Sequence, residues 1–173
     1  MIRAIAATVA TLFTFHASAY VINTAGTSYG SSWDNPSQQV EQVLESIEDA
    51  EGSNLTLNLV DTEIFTGTGA VNIILEEIAG YEQRTTFGWY KDGDEDNFGQ
   101  LFSGGDTNGA TATIDFGSET DFGFYIDPNG KDQNRMYTEH TLNTHLDRQV
   151  VIFEIEELTE TYILGWEDLD ING

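Results

Sequence analysis

The residues of this chain best equipped for chemistry are carboxylates, and they concentrate in three places. In Asp92-Gly93-Asp94-Glu95-Asp96-Asn97, the aspartates Asp92, Asp94 and Asp96 recur at every second position. Alternate carboxylates in a tight loop can converge on one hard cation, because Ca2+ accepts about six to eight oxygens in a flexible geometry. The segment does not follow the EF-hand loop: Gly93 stands second, Asn97 occupies the place of the turn glycine, and Ser103 falls at the last ligand position. A solvated hairpin loop accounts for the same residues. The second group is Asp127, Asn129 and Asp132, spread over Asp127-Pro128-Asn129-Gly130, Lys131 and Asp132. Here the demands of a β-turn already explain the residue types. The third group lies at the end of the sequence, where Asp168, Asp170, Asn172 and Gly173 match the opening of the D-x-[DN]-x-[DN]-G calcium loop. The later ligand positions of that loop are not in this sequence, so either the remaining ligands come from elsewhere in the fold or the chain is shorter than the family it belongs to.

Other catalytic arrangements find little support. His140 and His145 are five apart with Glu139 beside the first, and that interval does not place two imidazoles on one helical face. There is no H-E-x-x-H and no phosphate-cradling G-K-[ST], and without cysteine neither a thiol nucleophile nor a zinc-thiolate site can form. Glycoside hydrolysis requires only two carboxylates about 5 to 10 Å apart, a condition too loose to be diagnostic in so acidic a chain. The expectation is of a non-enzyme.

Charge narrows the partners. Thirty Asp and Glu face six Lys and Arg, giving a formal charge of −24 over 173 residues. Such a surface repels nucleic acid and anionic membranes and favours hard cations. With 39% apolar and 12% aromatic residues the chain can still build a core.

The elements that must position these groups are mostly strands. Residues 1–19 read as a secretory signal peptide: Arg3 supplies the positive start, Ala4 to Phe15 an uncharged apolar run, and Ala17-Ser18-Ala19 a small-residue cleavage site. The run is too short to span a bilayer, so no membrane insertion is expected after cleavage. Residues 20–173 then form one domain. Asn35-Pro36 opens an amphipathic helix in which Val40, Val43, Leu44 and Ile47 share a face until Gly52. Beyond it, alternation at Leu55 to Leu59, Ala110 to Phe116, Phe122 to Ile126 and Val151 to Ile155 predicts strands, as do the apolar runs Val71 to Ile78, Thr85 to Tyr90, Leu101 to Phe102 and Tyr162 to Trp166. Eight or nine strands at this spacing predict a mainly β fold, an antiparallel β-sandwich of jelly-roll-like kind with the one helix laid against it. Trp33, Trp89 and Tyr90 are the aromatics that would stack on a sugar if they were exposed.

The succession Glu77-Ile78-Ala79-Gly80-Tyr81, Thr86-Phe87-Gly88-Trp89-Tyr90, Leu101-Phe102-Ser103-Gly104, Phe122-Gly123-Phe124-Tyr125-Ile126, Met136-Tyr137-Thr138 and Gly165-Trp166-Glu167-Asp168-Leu169 resembles the domain-of-unknown-function 4114 family over residues 70–173. That family comprises β-rich domains of exported bacterial proteins, often adhesin-like. The resemblance implies that Glu167, Asp168 and Asp170 belong to a calcium site following the W-E-D-L element. The D-[FY]-x-D segment and closing strand that follow in the family are not in this sequence, and the chain is expected to be a truncated member. Together these readings give an expectation. The protein would be an exported, non-catalytic β-sandwich module, secreted or held at a bacterial cell surface. It would bind Ca2+ through Asp92, Asp94, Asp96, Glu167, Asp168, Asp170 and Asn172. Its role would be surface attachment or matrix structure, with an extracellular glycan or surface protein as partner. The alternative is a secreted carbohydrate-binding or glycan-hydrolysing domain.

Overall fold

The computed structural model describes residues 9–14 by their backbone, and residues 55–78, 84–107, 109–128, 135–146 and 148–166. The expected amphipathic helix lies outside these residues, and the described part is mainly β, with every strand pairing antiparallel. The strands are β1 (Val9–Thr14), β2 (Leu57–Val60), β3 (Phe65–Gly67), β4 (Ala70–Ile78), β5 (Thr86–Lys91), β6 (Asp94–Ser103), β7 (Thr111–Asp115), β8 (Thr120–Asp127), β9 (Met136–Tyr137), β10 (Val150–Ile155) and β11 (Thr161–Trp166). One sheet runs β2-β10-β11-β1-β4-β7; the other runs β3-β8-β5-β6, with β9 also paired to β8.

Alternation decides which residues each strand buries. In β8, Phe122, Phe124 and Ile126 enter the main apolar cluster, as do Phe87 of β5 and Phe102 of β6. From the other sheet come Val71, Ile73 and Leu75 of β4, Val150 and Ile152 of β10, and Tyr162, Leu164 and Trp166 of β11. Ring contacts join the two sheets: Phe65 meets Tyr162 at 5.5 Å and Phe87 meets Trp166 at 6.1 Å, both edge-on. Such pairs contribute about 0.5–1.5 kcal/mol each beyond the area they bury. The intervening residues behave differently. Ile74, Val151, Ile155 and Ile163 are also buried, but they stand outside that cluster, at alternate positions of β4, β10 and β11. The larger sheet is therefore apolar on both faces along these strands, which is why Tyr162 to Trp166 reads as an unbroken apolar run rather than an alternating one.

β1 occupies a central place in that sheet. Phe13 pairs with Tyr162 of β11 on one side and Ile73 of β4 on the other, and Thr11 pairs with Leu164 and Leu75. These are residues from the apolar run that reads as the export signal.

In the smaller sheet, Asp92 and Gly93 alone connect β5 to β6, with Lys91 paired to Asp94 across the turn. Gly93 adopts φ 69°, a left-handed conformation that other residues enter only at a cost. A few residues earlier, a Cβ on Gly88 would collide with the carbonyl oxygen of Gly99 and the ring of Tyr125. The backbone oxygen cannot step aside as a flexible side chain could. Gly88→Ala should accordingly destabilise the fold by about 1–3 kcal/mol, seen as a lower denaturant midpoint at unchanged slope.

Candidate functional site

The carboxylates of the β5–β6 hairpin do not form the loop that their spacing suggests. β6 begins at Asp94, so Asp94 and Asp96 belong to a strand, and both are exposed. β6 is also the edge of its sheet. Charges on an edge strand deter pairing with another chain, which gives Asp94, Glu95 and Asp96 a structural reason to be acidic. Asp92 has a different environment. Its backbone N–H donates to the carbonyl of Asp121 at 3.0 Å, which ties the turn to β8. Asp92 is exposed, yet the loss of part of its hydration raises its pKa above the ordinary aspartate value, and the nearby charges of Glu139, Asp121 and Glu95 push it in the same direction. The fold thus gathers Asp92, Glu95, Asp121 and Glu139 into one negative region, of which only Asp92 and Glu95 are close in sequence. Thr66 of β3 donates its hydroxyl to Asp121 at 2.6 Å and fixes that carboxylate. Beneath them the Tyr90 hydroxyl is buried beside Thr138 and Glu139 without a well-aligned hydrogen bond. Its pKa is raised, first by burial and then by the Glu139 charge.

Among the described residues, no three Asp, Glu or His side chains converge closely enough to enclose a metal ion. The expected ligands Glu167, Asp168, Asp170 and Asn172 lie outside the described residues, as do Asn129 and Asp132. Asp127 is buried at the end of β8.

A second charged group could not be read from spacing. His140 Nδ1 lies 2.6 Å from Glu63 Oε1, and the His140 backbone N–H donates to Glu63 Oε2 at 3.3 Å. Arg148 Nη1 approaches the same Glu63 Oε1 at 2.6 Å, while its Nη2 stands 2.6 Å from Asp61 Oδ1. The Asp61 contact is one of charge and is not aligned as a hydrogen bond. These side chains are largely sheltered: Arg148 is 19% exposed, Glu63 16% and Asp61 11%. Asp61 and Glu63 lie in the link from β2 to β3, whereas His140 opens the first of the two 3-10 turns His140–Leu142 and Thr144–Leu146 and Arg148 follows the second. Asn143 braces the same segment, accepting from the Tyr137 N–H at 2.6 Å and donating to the Tyr137 carbonyl at 2.9 Å. A Glu–His pair can move a proton, but Arg148 already engages the same carboxylate oxygen, and the geometry is that of a clamp on the 138–149 segment. The available signal was scarcity: in a chain with six Lys and Arg, a cation with two acidic partners is conspicuous.

The aromatics considered for sugar stacking are engaged elsewhere. Tyr90 is fully buried, and Trp89 is half-buried with its ring edge-on to Phe116 at 5.2 Å. Trp33 lies outside the described residues. Arg135 lies over the ring of the exposed Phe98, 3.7 Å from its centre, and so covers part of the smaller sheet. No helix among the described residues is long and apolar enough to cross a membrane. No protein-family model, no curated protein and no solved structure matches the chain.

Two variants test this geometry. Arg148→Met removes the shared cation and leaves two sheltered carboxylates facing each other, which should cost about 1–3 kcal/mol of unfolding free energy in urea titration. A loss under about 0.5 kcal/mol would place the group among ordinary surface pairs. For Asp92 the sign runs the other way. Folding raises its pKa above 3.8, so its favourable contribution is complete below 3.8 and is lost as pH rises through the folded value. Ionised Asp92 is consequently a burden at neutral pH. In a chelator, Asp92→Asn should be more stable than the parent at pH 7, within the ~0–1 kcal/mol expected of exposed charges, and the gain should vanish in strong acid.

Proposed function

We propose that this chain is an exported, non-catalytic β-sandwich module of jelly-roll-like kind that binds Ca2+ and serves cell-surface attachment or extracellular matrix structure. The observation that carries the reading is the crowding of Asp92 with Glu139, Asp121 and Glu95, a region where folding concentrates like charge. A hard cation would relieve that repulsion, and Ca2+ tolerates the irregular geometry. Because the side chains do not already enclose a site, the ion would have to draw them together. Asp94 and Asp96 could turn toward it from the start of β6. Glu167, Asp168, Asp170 and Asn172 would furnish a second cluster, as the resemblance to the domain-of-unknown-function 4114 family implies. That resemblance and the export signal also support a secreted or surface location on a bacterium, with a glycan or a surface protein as partner.

Binding to the native state alone stabilises by mass action, about 2.7 kcal/mol when free ion exceeds Kd a hundredfold. Thermal unfolding in EDTA, in CaCl2 and in NaCl at equal ionic strength provides the test. The expected outcome is a rise in melting temperature specific to CaCl2 and diminished in Asp92→Asn. An equal rise in NaCl would reduce the effect to screening of a very acidic surface and overturn the proposal.

A further inference from the structure

The larger sheet is continuous only because β1 lies between β4 and β11. β1 comes from the apolar run assigned above to the export signal. If cleavage follows Ala19, as the export reading requires, that strand leaves with the signal and opens a gap one strand wide, roughly 9–10 Å between the flanking strands. The exposed edges would be lined by backbone that had been paired, next to Ile73, Leu75, Tyr162 and Leu164, all of them fully buried. Unpaired backbone beside such residues is costly, and an extended segment added to both edges removes the cost.

We infer that in the processed protein this gap is refilled by the new amino-terminal segment, Tyr20-Val21-Ile22-Asn23-Thr24, entering as a strand in the same chain. The inference rests on the export reading and adds to it a conformational step that follows cleavage. Three features support this occupant. Tyr, Val, Ile and Thr are strong strand formers. The chain also carries no Asp, Glu, Lys or Arg from Ala4 through Trp33, so the segment can enter a buried position without desolvating a charge, although the protein as a whole is strongly acidic. Reach is ample as well. The 32 residues 25–56 separate this segment from β2, a tether that extends to on the order of 100 Å. A strand tethered to its own slot competes at roughly millimolar effective concentration. A second copy would also have to overcome repulsion between two chains of like, high charge.

The test uses the chain expressed with its own leader and recovered after export. Its amino terminus is read by mass spectrometry, its association state by light scattering, and its amides by hydrogen exchange. The expected result is a monomer beginning at Tyr20, with slow exchange at Val21 and Ile22 and along the facing edges of β4 and β11. In Ile22→Asp, exchange at those edges should rise at least about tenfold while β5 and β8 keep their protection. The unsubstituted protein alone decides the matter if that variant does not fold. A chain that starts at Tyr20 with fast exchange at residues 20–24 overturns the inference and leaves the export reading intact. Protection that appears only with concentration-dependent dimers or larger assemblies overturns the same-chain strand in favour of a second copy. A chain that retains residues 1–19, with slow exchange at Thr11 and Phe13, overturns the export reading and this inference together.

Discussion

The central position in the larger sheet is the constraint on which the rest of the architecture depends. Without a strand there, the sheet divides into β2-β10-β11 and β4-β7, and the two pieces hold opposite sides of the apolar cluster. Ile73 and Leu75 belong to one piece and Tyr162 and Leu164 to the other, and all four are fully buried. A strand between them does more than complete hydrogen bonding. It fixes the lateral distance at which the larger sheet meets the aromatic residues of the smaller one, including Phe65 against Tyr162 and Phe87 against Trp166.

The order of the strands adds a kinetic side to the same constraint. The chain passes repeatedly from one sheet to the other: β2 to β3, β3 to β4, β4 to β5, β6 to β7, β7 to β8 and β9 to β10. Among the described strands, only β5–β6, β8–β9 and β10–β11 pair with a sequence neighbour within a sheet. Long-range pairing has to be established before most local segments gain anything from it, which places such a topology among the slower-folding kinds.

Much of this was legible in the sequence where burial imposes a period of two. The alternation in β7, β8 and β10 and the short apolar runs of β4, β5 and β11 located those strands to within a few residues. β6 was only half legible. Its first residues are acidic and its exposure pattern is mostly outward, as befits an edge strand, so no apolar alternation announces it before Leu101. β3 and β9, three and two residues long, are too short to carry a period. β1 was concealed for another reason: uncharged apolar sequence is what both an export signal and a buried strand require. The candidate site divides in the same way. Asp92 could be picked out from its local spacing, but its approach to Asp121 and Glu139 depends on sheet register. The Glu63–His140–Arg148 clamp joins residues whose proximity no local pattern encodes.

Glu139 and His140 are consecutive, and they look toward different neighbours. Glu139 contributes to the negative region at the β5–β6 turn, whereas His140 is held by Glu63 beside the β2–β3 link. A single peptide unit therefore acts as a tie rod between two parts of the surface that are built from distant stretches of chain. The same carboxylate that holds His140 also meets the guanidinium of Arg148, so the segment after Glu139 is anchored to the β2–β3 link by both a backbone and a side-chain contact.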